Sequence, residues 1–190
     1  MSARLAVYGG SFDPPHIAHV LVASWALAMG EVDSVIVLPT LEHALGKTAG
    51  ASFEQRLVMC ERAFACLRGV QVSGLEQTLG TPSRTYKLLL ALGEQHPGAQ
   101  LRLVIGADIV AELPRWFRYE DITRMAPPLV VGRAGYSPPD GTQLVMPEVS
   151  STRIRAALAA GEPVGAWVPA SVRAYIAEHG LYGASRGATA

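Results

Sequence analysis

Lysine is nearly missing from this 190-residue chain: of its 16 basic residues only Lys47 and Lys87 are lysines and the rest are arginines, a skew that fits a genomic codon preference. Net charge is missing too, because 16 Asp and Glu face the 16 Lys and Arg. Without a chain-wide positive field nothing holds a nucleic acid backbone by counterion release, so no nucleic acid polymer is expected as a partner. Cysteine is scarce. Cys60 and Cys66 stand six apart in a stretch that reads as helix, where a disulfide would bend the geometry and a metal would lack further donors. Two buried thiols in a reducing compartment are the expectation. Long apolar runs are absent as well: residues 20–29 stop at Gly30, too short to span a bilayer, and residues 1–8 carry no basic segment ahead of an apolar core. Neither a membrane anchor nor an export signal is expected, and the expected location is cytoplasmic.

What is present is a chain 49% hydrophobic with 19 Gly and 13 Pro, enough for many turns and too few for low complexity. Apolar strand-like runs occur at residues 5–8, 34–38, 70–73, 101–105 and 128–131, with a further candidate at 143–146. Between them lie helical patterns. One starts near Pro15 and stops at Gly30, and one opens on the capping-box spacing Ser52-x-x-Gln55 and runs through Arg68. Others cover residues 85–95, 151–160 and 169–179, the last closed by Gly180. Alternating helices and continuous apolar strands predict an α/β fold: a Rossmann-like, doubly wound, mostly parallel sheet with helices on both faces and a small C-terminal helical part. A single domain over residues 1–183 is expected, with residues 184–190 a disordered tail. In such sheets ligands sit beyond the carboxyl ends of the strands at the switch point, so Gly9-Gly10 and Gly106-Ala107-Asp108 should face one crevice.

Two familiar phosphate motifs fail. The first strand is not followed by G-x-G-x-x-G, and Gly46-Lys47-Thr48 lacks the leading glycine of a P-loop, with Leu41 in its place. The first strand instead leads into Gly9-Gly10-Ser11-Phe12-Asp13-Pro14-Pro15-His16-Ile17-Ala18-His19. Glycines let backbone amides approach an anion and prolines fix the entry into a helix. Histidines three apart on its first turn share one face, beside the open amides and positive end of the dipole. That reads as a polyphosphate cradle, with a pair of helix-capping histidines as the bland alternative. Two imidazoles with no third donor nearby do not make a metal site.

The segment from Gly10 to His19 resembles the G-[TS]-F-D-P-x-H-x-G-H signature of the nucleotidyltransferase superfamily, and Val149-Ser150-Ser151-Thr152-Arg153-Ile154-Arg155 resembles its second signature, I-S-S-T-x-I-R. Ile105-Gly106-Ala107-Asp108 with Trp116 eight residues on, and the ending from Val168 to Ile176, are similar to the bacterial nicotinate-nucleotide adenylyltransferases. The resemblance implies adenylyl transfer from ATP to a pyridine mononucleotide, with pyrophosphate released and no covalent enzyme intermediate. His16, His19, Arg155 and Lys47 are the implied catalytic residues, acting by alignment and charge neutralisation. Gly9, Gly10, Ser11, Phe12, Gly106, Asp108, Ser151 and Thr152 are the implied ATP contacts. His43, Arg84, Thr85, Trp116 and Arg133 are the implied contacts of the pyridine nucleotide, with Trp116 stacked on the ring. Mg²⁺ is the implied cofactor, carried by ATP phosphates rather than by protein carboxylates. ATP and the mononucleotide are the implied partners, and a homo-oligomer stays open. So do a different phosphate acceptor, such as phosphopantetheine, and a catalytically silent nucleotide sensor.

Three departures bear on that implication. Ala18 replaces the Gly of H-x-G-H. Glu42-His43-Ala44 stands where the family has P-H-K, with Lys47 displaced four residues past His43. Ser83-Arg84-Thr85-Tyr86-Lys87-Leu88-Leu89 stands in place of S-Y-T-x-D-T-L, so Arg84 is expected to pair with the nicotinate carboxylate and favour the acid over the amide.

Overall fold

The computed structural model describes residues 2–41, 50–82, 84–132 and 146–184. Five strands, β1 (Arg4–Gly10), β2 (Ser34–Pro39), β3 (Val70–Val72), β4 (Gln100–Gly106) and β5 (Pro128–Val131), form one sheet in the order β3-β2-β1-β4-β5. Every pairing among them is parallel. Parallel neighbours need crossovers, and α1 (Ile17–Met29), α2 (Phe53–Phe64), α3 (Thr85–Gln95) and α4 (Tyr119–Met125) supply them. Helices α5 (Ser151–Ala159) and α6 (Ala170–His179) follow β5 in the chain. The winding reverses between β1 and β4, which places a switch point at the glycine-bearing ends of both strands.

Strand alternation divides the interior into two layers. Ala6, Val35, Val37, Val104 and Val131 point to a core covered by α1, α2, α5 and α6. Leu5, Val7, Ile36, Leu38, Leu103 and Ile105 point to the opposite core under α3 and α4. Alanine and valine thus face the four-helix layer, and mainly leucine and isoleucine face the layer with fewer helices. Burial on both faces is why the strands read as continuous apolar runs.

Several local expectations are corrected. Gly9 and Gly10 do not follow the first strand but end it, in register with Leu38 and Pro39 of β2, so the turn begins only at Ser11. Gly30 ends α1 without a left-handed backbone; Glu31 takes that conformation at φ 53. Gly30 is needed because a Cβ there would lie 2.6 Å from the Ala26 carbonyl oxygen and 2.7 Å from Leu129. Helix α2 stops at Phe64 rather than Arg68, because the chain tightens into a turn in which Leu67 N–H reaches the Phe64 carbonyl, ahead of Gly69 at φ 85. Cys66 is therefore past the helix and exposed, and only Cys60 is buried. Helix α4 and 3-10 helices at Leu75–Thr78, Ala107–Arg115 and Leu181–Gly183 were not foreseen. Of the strand expected at 143–146 only Met146 lies among the described residues, its N–H 3.4 Å from the Gly132 carbonyl. The tail beyond Ala184 lies outside them. No described helix is long and apolar enough to cross a membrane.

Burial also pushes the Cys60 thiol far above its ordinary pKa. Titration with a disulfide reagent should therefore label about one thiol per native chain, Cys66, and the second only in denaturant. Two fast thiols, or none, would contradict this packing.

Candidate active site

The site grows from the reverse turn after β1. Phe12 enters the left-handed region at φ 47, and its side chain is 1% exposed in the first core. There it meets Tyr8, Phe64 and His19 edge-on, with ring centroids 5.3, 6.1 and 4.8 Å away. A Cβ on Gly10 would come within 3.1 Å of that ring, so this glycine serves Phe12, whereas Gly9 is exposed with nothing within 4 Å of its Cβ position. Of the expected nucleotide contacts, then, Phe12 can offer only backbone, and Gly9 is the open glycine.

Burying Phe12 turns Asp13 inward, to 2% exposure. A carboxylate so enclosed must be satisfied by protein. Its Oδ2 accepts the Gly50 N–H at 2.7 Å, and its Oδ1 accepts the Ala51 N–H at 3.2 Å and the Tyr182 hydroxyl at 2.7 Å. Arg155 donates from Nη1 to the Asp13 carbonyl at 2.7 Å and lies 3.7 Å from the carboxylate. Arg155 Nη2 is 3.5 Å from Thr152 Oγ1, and Ser151 Oγ donates to the Pro14 carbonyl at 2.9 Å. The N-terminal turn of α5, whose N-cap is Ser150, is thereby bolted to the loop that precedes α1.

His16 is the N-cap of α1, not a first-turn residue, and is buried. Its backbone N–H donates to His19 Nδ1 at 3.1 Å, and the rings stack with centroids 3.7 Å apart at 22°. The two histidines thus take part in capping α1 and share one face, but His16 is buried rather than on the surface. Because Nδ1 of His19 accepts, the proton of its neutral ring resides on Nε2 as a donor, an assignment made from the hydrogen-bond network. The expectation of open amides needs correction: Ile17 N–H is taken by the Trp167 carbonyl at 2.8 Å, and His19 N–H by His16. Imidazole and guanidinium donors, more than amides, define this end of α1. The Ala18 methyl is 7% exposed and covered by protein.

A second group stands on the other core. Gly106 ends β4 and caps the 3-10 helix Ala107–Arg115, so Asp108 is inside the first turn and is not its N-cap. The Asp108 carboxylate folds back over Gly106, where a Cβ would collide with Oδ1. Trp116 ends that helix and packs half-buried on the second core. Phe117, which the sequence did not single out, is 50% exposed. The Arg84 guanidinium lies over it at 4.4 Å, Tyr86 meets it edge-on at 6.1 Å, and Arg118 covers Tyr86 at 4.5 Å. Arg84 is the N-cap residue of α3 and Thr85 its first residue. Lys47, His43 and Arg133 lie outside the described residues.

Besides Tyr182, two residues that the sequence did not assign hold the first group. One is Asp13 itself. The other is Arg56, 2% exposed, whose Nη1 donates to the Ser11 carbonyl at 2.8 Å and Nη2 to the Leu41 carbonyl at 3.4 Å. Burial lowers its pKa, opposed mainly by the field of Asp13. Arg56 shares helical spacing with buried Met59, Cys60 and Ala63, so an arginine on the apolar stripe of α2 was a readable signal. Among the described residues no three His, Cys, Asp or Glu side chains could hold a metal ion. The donors at the loop are imidazole and guanidinium, which suit phosphate oxygens.

The cytidylyltransferase-like family model matches residues 7–157, and with the switch-point sheet it defines a nucleotidyltransferase. A protein of Anaeromyxobacter sp. (strain K), described as a probable nicotinate-nucleotide adenylyltransferase, is 45% identical over 182 residues, 94% of this chain and 96% of its own. A protein of Myxococcus xanthus with the same description is 39% identical over 97% of both chains. The solved nicotinic acid mononucleotide adenylyltransferase of Plasmodium falciparum, complexed with NaAD, shares the fold at TM-score 0.77 and 19% identity, covering 96% of this chain and 98% of that one. The chain belongs to the nicotinate-nucleotide adenylyltransferase family. Enzymes of this kind use a divalent metal with the nucleotide.

Removing the Asp13 carboxylate leaves two amides, a phenol and two guanidinium groups without their acceptor or counter-charge. Asp13→Ala should cost about 2–4 kcal/mol of stability in denaturant titration. An unchanged midpoint would contradict its role as the hub.

Proposed function

We propose that this protein transfers the adenylyl group of ATP to nicotinate mononucleotide, forming the dinucleotide and pyrophosphate. The observation that carries the reading is the stacked His16–His19 pair and the Arg155 guanidinium converging on the one loop that contains Asp13. A phosphate oxygen of the mononucleotide bonds to the α-phosphorus while the bond from that phosphorus to the bridging oxygen of pyrophosphate breaks in line. The nucleophile arrives ionised, so the protein needs no general base and works by alignment and by stabilising charge on the phosphates.

His19 Nε2–H serves the α-phosphate and the leaving pyrophosphate, with His16 stacked behind it, and Arg155, Thr152 and Ser151 serve the β and γ groups. Lys47 belongs with them. Gly9, Gly10, Ser11 and Phe12 offer backbone to the nucleotide, and Gly106 and Asp108 meet its sugar hydroxyls. His43, Arg84, Thr85, Trp116 and Arg133 serve the pyridine nucleotide. Mg²⁺ would be carried by ATP rather than by protein carboxylates, and would supply charge neutralisation at the phosphates. The working unit is a single domain over residues 1–183, acting on small nucleotides in the cytoplasm without membrane or nucleic acid partners.

Arg84 is the residue read as choosing the acid. Its guanidinium rests over Phe117 beside Trp116, so a pyridine ring bound at these aromatics would bring its carboxylate within reach.

Coupled assays of pyrophosphate release test this directly. Release should require both ATP and mononucleotide, and be faster with nicotinate than with nicotinamide mononucleotide. His19→Ala should lower kcat about 10²–10³-fold. Arg84→Ala should lower kcat/KM for the nicotinate form about tenfold or more and leave the amide form nearly unchanged. ATP binding without turnover would favour a sensor, and equal losses on acid and amide would remove Arg84 from specificity.

A further inference from the structure

The C-terminal turn carries a tyrosine that belongs to neither signature. After α6 the chain passes through Gly180 in the left-handed region and into the 3-10 turn Leu181–Gly183. Tyr182 itself has φ 56, a conformation unfavourable for a residue with a Cβ, and such backbone persists only where its surroundings dictate it. What dictates it here is the loop 169 residues earlier. The Tyr182 hydroxyl donates to Asp13 Oδ1 at 2.7 Å. Its ring closes over Gly50, where a Cβ would lie 2.9 Å from Tyr182 Cε1 and 3.1 Å from Arg155 Cδ. Burial first, and then the hydrogen bond to Asp13, raise the phenol far above its ordinary pKa, so it stays a donor.

Resting on the ATP reading above, we propose that Tyr182 is a positioning residue for adenylyl transfer, fixing the orientation of Asp13 so that the Arg155 guanidinium stays available to the triphosphate. The geometry gives the direction of the effect. Asp13 Oδ1 is held by the hydroxyl at 2.7 Å and by the Ala51 N–H at 3.2 Å, while Oδ2 holds Gly50 N–H and stands 3.7 Å from Arg155 Nη1. Without the hydroxyl the carboxylate keeps only one longer bond on Oδ1 and can rotate. Among the described residues the cation within ion-pair reach of it is Arg155, and a closer ion pair with it withdraws the guanidinium from the phosphates. If Tyr182 acted by packing alone, phenylalanine would serve equally well.

A double-mutant cycle decides between these. Tyr182→Phe should raise KM for ATP, and the dissociation constant of a non-hydrolysable ATP analogue, about tenfold, the scale of one charge-assisted hydrogen bond, with KM for the mononucleotide and kcat changed less. In an Arg155→Ala background the same change should add nothing further. Gly50→Ala, which presses on the ring and on Arg155 from the other side, should raise KM for ATP likewise, and it replaces Tyr182→Phe in the cycle if that variant does not fold. No effect in the parent background, or an equal effect in both backgrounds, overturns the proposal. A parent that binds the analogue but releases no pyrophosphate overturns the reaction reading and leaves the binding cycle to judge Tyr182, whereas a parent that binds no analogue overturns both.

Discussion

A carboxylate with 2% exposure is the constraint around which this molecule is arranged. A carboxyl group enclosed this far needs donors from protein, and Asp13 draws them from positions 37, 38 and 169 residues away, with Arg155, 142 residues away, on its backbone carbonyl. The loop after β1, the chain at Gly50 and Ala51, the first turns of α5 and the C-terminal turn are thereby fixed relative to one another. Each contact is modest alone. Together they form a network in which any partner removed leaves others buried and unsatisfied, which is how polar interiors define one arrangement rather than many.

The sheet supplies the place and the loop supplies the chemistry. Parallel strands with a reversal between β1 and β4 put Gly9 and Gly106 at the carboxyl ends of neighbouring strands, where sheets of this kind bind ligands. The loop on the side of the four-helix layer presents imidazole and guanidinium donors, and Trp116 and the Arg84–Phe117 pair stand with the opposite layer. Positive donors on one side and aromatic faces with a cation on the other match the two ends of the dinucleotide chemistry proposed above. Buried residues behind the loop matter as much: Arg56 holds the carbonyls of Ser11 and Leu41, so the turn that carries Phe12 and Asp13 is braced from α2.

Much of this was written in the sequence, and what was not has physical reasons. The strands were legible because burial on both faces makes them continuous apolar runs. The extents of α3 and β5 were read to the residue, and the capping box at Ser52 and Gln55 forms as its spacing implies. Helix ends were less legible: α2 stops early at a turn that no proline or capping residue announces, and α4, at seven residues, is too short for periodicity to show. The candidate site was legible through its two signatures, since both histidines and Arg155 do meet at one loop. Its scaffold was not. Arg56 left a local sign as an arginine on an apolar stripe, but its partners, and the pairing of Asp13 with Tyr182 169 residues away, come only through the fold and leave no local pattern to read.

The central claim is that the imidazole pair and Arg155 receive one triphosphate. A crystal structure of the protein with a non-hydrolysable ATP analogue measures this most directly. Phosphate oxygens within about 3.2 Å of His19 Nε2 and of the Arg155 guanidinium are the expected result. A triphosphate bound elsewhere, or out of hydrogen-bonding reach of those side chains, would contradict it.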